Sequence, residues 1–142
     1  MRGSVSKYLT PAGIGLAGLM VGAASLPPVI ADSGGLWEVS RSATGAAPER
    51  SCLPQASALA QWEHRRANCT RVVLSSTASE AVIHYTCPAG DFGHSKMTVI
   101  TPRTLRVETQ GISGGFPFNY VLHARRIGEC PTSLRPRLTK SG

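Results

Sequence analysis

The sequence has few acidic and few aromatic residues. Asp and Glu number 8 against 15 Lys and Arg, and Phe, Trp and Tyr make up 6% of the chain. The carboxylates are scattered, and nothing pairs them for glycoside hydrolysis. A nucleic-acid-binding protein would show a denser basic face interleaved with aromatic residues. The composition therefore favours neither a glycosidase nor a nucleic-acid-binding protein.

Motifs that bind metals or activate nucleophiles are also missing. The four histidines show no HxH or HExxH spacing. The cysteines lie 17, 18 and 43 residues apart, which is not the CxxC-like spacing of a zinc site. Met97 stands where a GxSxG elbow around Ser95 needs glycine. We therefore expect no metal, no cofactor and no enzymatic activity. The alternative is a hydrolase that uses Asp91, His94 and Ser95, although a polar turn explains these three residues more simply.

The N-terminus carries the three-part pattern of a secretory signal peptide. A basic start precedes the uncharged run Ala12–Ala24, and Val29-Ile30-Ala31 places small residues before a cleavage site. The apolar run is too short and too rich in glycine and proline to favour a membrane anchor. We expect residues 1–31 to be a signal peptide cut near Ala31, with a cut near Ser25 as the alternative. The product would have no stable membrane span.

The rest of the chain is long enough for one small domain. We expect this domain to span residues 32–131, followed by a disordered basic tail at 132–142. Loss of Arg2 and Lys7 leaves 13 basic and 8 acidic residues, so the net charge falls from +7 to +5. Four cysteines in an exported chain predict two disulfides and an oxidising compartment, which we take to be the periplasm.

A β-hairpin organises the centre of the chain. β-Branched runs lie on both sides of a polar turn near Ala78. Folding at this turn puts Arg71 opposite Tyr85, Val72 opposite His84, Val73 opposite Ile83 and Leu74 opposite Val82. Cys69 then faces Cys87, which favours a disulfide between them. Of the three connectivities that four cysteines allow, this choice leaves Cys52–Cys130 as the second bridge.

The remaining pattern predicts a mainly β fold. Further strands are expected at 36–41, 49–53, 96–101, 104–109 and 116–127, with turns between them. One short α-helix is expected at about 54–67, with Trp62 as an anchor in the core. Short strands at regular intervals favour an antiparallel meander, which forms a curved sheet or an open barrel.

Five residues are candidates for lining a ligand pocket between sheet and helix: Trp37, Met97, Phe116, Phe118 and Tyr120. The alternative is that they fill the core, because a small domain has few side chains for both roles. We favour a binding module for an apolar or amphipathic small molecule or an envelope component. A protein–protein interaction module is the alternative, and the partner is unknown.

Four short motifs resemble those of one protein family. They are Gly35-Leu36-Trp37-Glu38-Val39, Cys52-Leu53-Pro54, the pair Cys69 and Cys87, and Arg125-Arg126-Ile127-Gly128-Glu129-Cys130-Pro131. In this order they resemble a bacterial family of small exported proteins classed as a domain of unknown function. The resemblance covers about Gly35 to Pro131 and implies a periplasmic location and structural cysteines, but no activity. Two departures are the missing Thr before Pro54 and a short loop, Arg41–Pro48, without Met.

Overall fold

Seven antiparallel strands form a single sheet. The structure is a computed structural model that describes residues 25–134 together with Gly13, Gly15 and Gly18. The strand order is β2-β1-β7-β6-β5-β4-β3. The strands are β1 (Gly35–Ser40), β2 (Glu49–Leu53), β3 (Thr70–Ser76), β4 (Glu80–Thr86), β5 (Phe92–Thr101), β6 (Thr104–Ser113) and β7 (Phe116–Gly128). The sheet is curved and unclosed, so the expectation of a mainly β curved sheet with one short helix and two disulfides is confirmed.

Two helices and two short 3₁₀ segments accompany the sheet in the described part of the chain. Helix α1 (Pro28–Asp32) precedes β1, and a 3₁₀ helix, Ala56–His64, joins β2 to β3. Short 3₁₀ segments follow at Pro88–Gly90 and Thr132–Leu134. We call Ala56–His64 the covering helix, because it packs over the inner face of the sheet. No helix in the described part of the chain is long and apolar enough to cross a bilayer.

The covering helix differs in type and extent from the α-helix expected at about 54–67. It is a 3₁₀ helix that starts after Pro54 and ends at His64. Gln61 leaves helical geometry inside it, with φ −106° and ψ 27°. The short helix packs so closely that Leu59 and Trp62 are both buried, as expected for Trp62 as a core anchor. Packing against the sheet, not helix propensity, therefore sets its geometry.

Apolar and polar residues alternate along the strands, and this alternation determines which face of the sheet the covering helix packs on. On β4, Ala81, Ile83 and Tyr85 are buried, while the residues between them are partly exposed. The inward residues join the covering helix and α1 in one core cluster. Its members are Ile30, Trp37, Val39, Leu53, Ala56, Leu59, Ala60, Trp62, Ala81, Ile83, Met97, Leu105, Val107, Leu122 and Ala124.

The central hairpin forms as expected up to Val73. Arg71 pairs with Tyr85 and Val73 with Ile83. A register shift then follows, and Ser75 takes the place opposite Val82 that was expected for Leu74. The extra residue makes a bulge, a common feature of edge strands. The Cys69–Cys87 and Cys52–Cys130 disulfides are both present, with Cα atoms 4.2 and 5.6 Å apart, so both predicted bridges are confirmed.

Two strands are longer than the sequence pattern indicated. β5 begins at Phe92 and includes Gly93, and β6 continues through Gly111 to Ser113. These glycines were expected in turns, but they lie in strands at points of close approach. A Cβ atom on Gly93 would collide with the ring of Tyr85, and one on Gly111 would collide with the carbonyl of Phe92.

The expected ends of the domain are only partly described. Residues 135–142, most of the expected basic tail, lie outside the described residues, as do all but Gly13, Gly15 and Gly18 of residues 1–24. The last seven residues of the expected signal peptide and the start of the domain are described. There, α1 and Ser33 lead directly into β1.

Candidate binding cleft and buried polar network

The two edge strands of the sheet, β2 and β3, border an open cleft. β2 pairs only with β1 and β3 only with β4 within the described chain, so each has one free edge. The curvature of the sheet brings both edges to the covering helix. The cleft there has a volume of about 520 Å³. It is lined by Glu49, Ser51, Cys52, Leu53, Pro54, Ala58, Gln61, Trp62, Arg65, Arg66, Ala67, Asn68, Cys69 and Arg71.

Positive charge predominates in the cleft, with three arginines against one carboxylate. Arg65 lies over the ring of Trp62, 4.3 Å from its centroid, and pairs with Glu49 at 3.0 Å. Arg71 donates a hydrogen bond of 3.2 Å to the carbonyl of Ser57. The side chain of Arg66 is exposed and makes no ion pair or hydrogen bond within residues 25–134. The cleft therefore suits an anionic group.

The chemistry of the cleft combines backbone edges with an aromatic wall. A free strand edge presents unpaired N–H and C=O groups that can pair with an extended chain. The volume of the cleft falls within the range of about 300–1,000 Å³ found for small-molecule sites. The cleft can thus bind an extended segment through the backbone and hold an acidic side chain or anionic head group at the arginines.

A buried polar network lies beneath the covering helix. His64 is 8% exposed, and its Nδ1 is 3.0 Å from the hydroxyl of Tyr85. On the other side of the ring, Nε2 lies 3.3 Å from Oδ2 of Asp91, in a direction that does not meet hydrogen-bond geometry. Tyr85 can donate its hydroxyl proton to Nδ1 of His64, while Nε2 on the other side of the ring faces Asp91.

Tyr85 is unsuited to proton transfer at neutral pH. Burial, and then the charges of Glu63 and Asp91, raise the pKa of Tyr85 from 10.0 to about 12. Its side chain is fully buried, so no solvent-borne substrate reaches the hydroxyl. The Asp91–His64–Tyr85 chain resembles a catalytic relay in composition, but its position is that of a structural link between helix and sheet.

A second polar group lies at the border of the covering helix. Tyr120 donates a hydrogen bond of 2.8 Å to Oε2 of Glu63, and the guanidinium of Arg41 stacks on the Tyr120 ring at 3.9 Å. Burial, and then the hydrogen bond to Glu63, raise the pKa of Tyr120. These contacts tie the end of the helix to β7 and to the loop after β1.

The hydrolase alternative needs Asp91, His94 and Ser95 to meet, and the structure separates them. Ser95 points inward, is fully buried and donates a 2.6 Å hydrogen bond to the carbonyl of Ala60. Because the hydroxyl proton of Ser95 is used in that bond, the hydroxyl of Thr109 donates to Ser95 Oγ in their 2.8 Å contact. His94, the next residue along the strand, lies on the opposite face. The triad hypothesis is wrong because strand alternation divides its members, and Asp91 faces His64 instead.

The five residues predicted to line a pocket lie in different surroundings. Trp37 and Met97 are fully buried in the core cluster. Phe118 and Tyr120 are half-buried, with ring centroids 5.8 Å apart, and Phe118 lies 5.8 Å from His64. Phe116 is 76% exposed beside the turn before β7. The cleft between β2 and β3 is lined by none of the five.

The outer face of the sheet carries the other histidines and four of the ion pairs. His84 and His94 face each other across β4 and β5, with ring centroids 6.2 Å apart. Among the described residues, no group of three or more His, Cys, Asp or Glu is placed to hold a metal ion. A hydrogen bond from Arg125, then one from Arg50, lowers the pKa of Glu38, and Lys96 lowers the pKa of Glu80 in the same way. These carboxylates serve cross-strand ion pairs.

Sequence reasoning missed the cleft residues. The sequence pattern singled out neither Arg65 nor Arg66 as a binding residue, and it placed Arg71 only in the hairpin register. The signal that could have found them is positional. Arg65 and Arg66 lie between the helix and the edge strand β3, and Arg71 is in that strand, near the Cys69–Cys87 disulfide that holds the edge in place.

The fold, the disulfides and the basic cleft together define a small disulfide-stabilised β domain, a type common where proteins fold under oxidising conditions. The chain belongs to the family described as proteins of unknown function (DUF3617), whose sequence model matches residues 30–130. That match begins inside α1. No curated protein and no solved structure matches the chain.

Proposed function

We propose that this protein is a non-enzymatic binding module of the periplasm that holds an extended acidic segment of another envelope protein in the cleft between β2 and β3. The observation that carries the proposal is the pair of free strand edges beside three arginines. The edges supply main-chain hydrogen bonds to an added strand, and the arginines select negative charge.

The packing of the interior favours a binding surface rather than an enclosed ligand cavity. Trp37, Tyr85 and Met97 fill the space between the sheet and the covering helix. The edge strand β3 also leaves Val72 53% and Leu74 55% exposed. Exposed apolar side chains on a free edge favour pairing with another chain, and proteins usually avoid them where no partner binds.

A test uses the full chain purified after export and a labelled peptide of alternating valine and glutamate. Arg66→Gln removes a cation without breaking an internal contact, so it should weaken binding about fivefold, which corresponds to about 1 kcal/mol. Arg103→Gln is the matched control, because Arg103 is exposed in the turn between β5 and β6, away from the cleft. Equal effects of the two variants on the dissociation constant, measured by fluorescence anisotropy, would refute a specific role for the cleft.

Strand pairing has its own test. Methylation of alternate amides removes the hydrogen-bond donors from one edge of the peptide. One methylation register should abolish binding, and the other, which leaves the paired edge intact, should be tolerated. If neither register matters, the peptide does not add to the sheet.

An anionic amphipathic small molecule is the second candidate ligand. The ring of Trp62 and the side chains of Leu53 and Ala58 provide apolar surface next to the arginines. Dodecyl phosphate would then bind with dependence on Arg66, whereas the valine–glutamate peptide would not bind. Native mass spectrometry of the gently purified protein would show the bound molecule directly.

A further inference from the structure

We propose that export cuts the chain between Ala24 and Ser25, so that residues 25–32 belong to the mature domain. The favoured expectation from the sequence was a cut near Ala31. The structure places the residues before that bond inside the fold, and this observation is independent of the proposed ligand.

The segment from Leu26 to Asp32 is integrated into the core. Ile30 is 0% exposed and belongs to the main core cluster, and Leu26 and Val29 pack against that cluster. Pro27 is also buried, and its carbonyl accepts hydrogen bonds from the N–H groups of Ile30 and Ala31 at 2.9 and 3.0 Å. Helix α1 packs on the covering helix.

The chain beyond α1 is fixed in the same way. The indole Nε1 of Trp37 donates a 3.1 Å hydrogen bond to the carbonyl of Ser33. Gly34 lies so close to Pro54 that a Cβ atom would collide with the Pro54 carbonyl. A protein that began at Asp32 would lose a fully buried isoleucine and would place a new charged amine next to the core. Core positions left empty in this way are destabilising.

The sequence offers a second cleavage site upstream of this segment. Gly22 and Ala24 are small residues at the third and first positions before the Ala24–Ser25 bond, which is the pattern that leader peptidases recognise. The run Ala12–Ala24 then ends at the cut. In the reaction water adds across this peptide bond, leaving a carboxyl group on Ala24 and a free amine on Ser25.

The test is the N-terminus of the protein made from the full precursor in a Gram-negative host. Intact mass and N-terminal sequencing should give Ser25 as the first residue. A first residue of Asp32, seven residues further on, or a chain that keeps its leader, would overturn the proposal. Ala24→Leu should block processing, and the control Ala31→Leu should not; the reverse result would also overturn it.

A stability measurement keeps the proposal testable if Ala31→Leu impairs folding. Ile30→Ala in the precursor should lower the denaturant midpoint of the exported protein. If the cut lies after Ala31, the exported products of the wild-type and Ile30→Ala genes are the same molecule, and the two midpoints coincide. Coincidence would overturn the proposal.

Discussion

Tyr85 joins the covering helix to the sheet through a single hydroxyl. Tyr85→Phe leaves the buried Nδ1 of His64 without its partner, since the two atoms are 3.0 Å apart. Loss of one partner of a buried hydrogen bond costs about 1–3 kcal/mol. We therefore expect the free energy of unfolding, measured in denaturant, to fall by this amount.

Tyr120→Phe provides the comparison for that substitution. Tyr120 is only half-buried, and its partner Glu63 retains access to water. Its loss should cost less, about 0.5–1.5 kcal/mol. A Tyr120→Phe variant that is destabilised more than Tyr85→Phe would show that the His64 contact is not the principal link.

Alkaline pH provides another test of Tyr85. Its folded pKa of about 12 lies above the unfolded value near 10, so the native state holds the proton more tightly. The stability that the raised pKa of Tyr85 contributes is therefore fully present below pH 10. It is lost as the pH rises from about 10 to about 12. With about 1.36 kcal/mol for each pKa unit, the loss is about 2–3 kcal/mol.

The measurement is stability against pH together with the phenolate absorbance of the folded protein. Below pH 11, the folded protein should show little absorbance from Tyr85, and the Tyr85→Phe variant should lose less stability between pH 10 and 12. A stability profile in this range that is the same for both proteins would contradict the assignment.

At the scale of elements, the end of the covering helix depends on Gln61. Its Nε2 donates hydrogen bonds of 2.9 Å to the carbonyls of both His64 and Ala67. The His64 carbonyl also accepts the N–H of Ala67 at 2.9 Å, so the Gln61 amide holds the last residue of the helix and the turn after it together. Gln61→Ala should therefore lower the free energy of unfolding by about 1–3 kcal/mol.

Gln110→Ala is the matched control for Gln61→Ala, because Gln110 is exposed on β6. Its effect should remain within about 0.5 kcal/mol. Both variants can be compared in the same urea titration. Equal small effects would mean that water replaces the Gln61 amide without cost.

The elements were largely predictable where local pattern and burial agree. Most of the central hairpin follows from β-branched runs and turn residues, and the alternation along β4 matches its one buried face. Gly93 and Gly111 were misleading, since glycine indicates a turn locally but can also make room for a neighbouring ring or backbone. The bulge at Leu74 and the 3₁₀ geometry of the covering helix depend on contacts distant in sequence, which local pattern does not contain.

The candidate site was much less predictable than the fold. The cleft exists because β2 and β3, on either side of the covering helix in sequence, become opposite edges of a curved sheet. Pairing of β1 with β7 produces this arrangement, and no local signal encodes that pairing. The link from His64 to Tyr85 similarly crosses 21 residues of sequence.

At the scale of the whole molecule, the two disulfides should contribute unequally to stability. Cys52–Cys130 closes a loop with a sequence separation of 78, and Cys69–Cys87 one of 18. The chain-entropy relation gives about 4.5 kcal/mol for the long loop and about 3 kcal/mol for the short one. Replacing Cys52 and Cys130 by serine should therefore destabilise the protein more than replacing Cys69 and Cys87.

The two double variants should be compared by urea unfolding without reductant. The wild-type protein in reductant gives the value for loss of both bridges. A greater loss from the Cys69/Cys87 pair would mean that the staple of the edge strand, not closure of the long loop, is the main contribution.

The long disulfide also determines how the protein responds to mechanical force. Cys52 and Cys130 lie near the two ends of the sheet sequence, so a pull on the chain termini passes through the bridge and bypasses strands β3 to β7. While the disulfide is intact, the segment between the two cysteines, a sequence separation of 78, cannot be extended. On reduction this segment could lengthen to roughly 260–280 Å at about 3.3–3.6 Å per residue. With the disulfide intact, a pull on the chain ends therefore extends only the segments outside the bridge, and the covalent path of the force does not pass through β3 to β7.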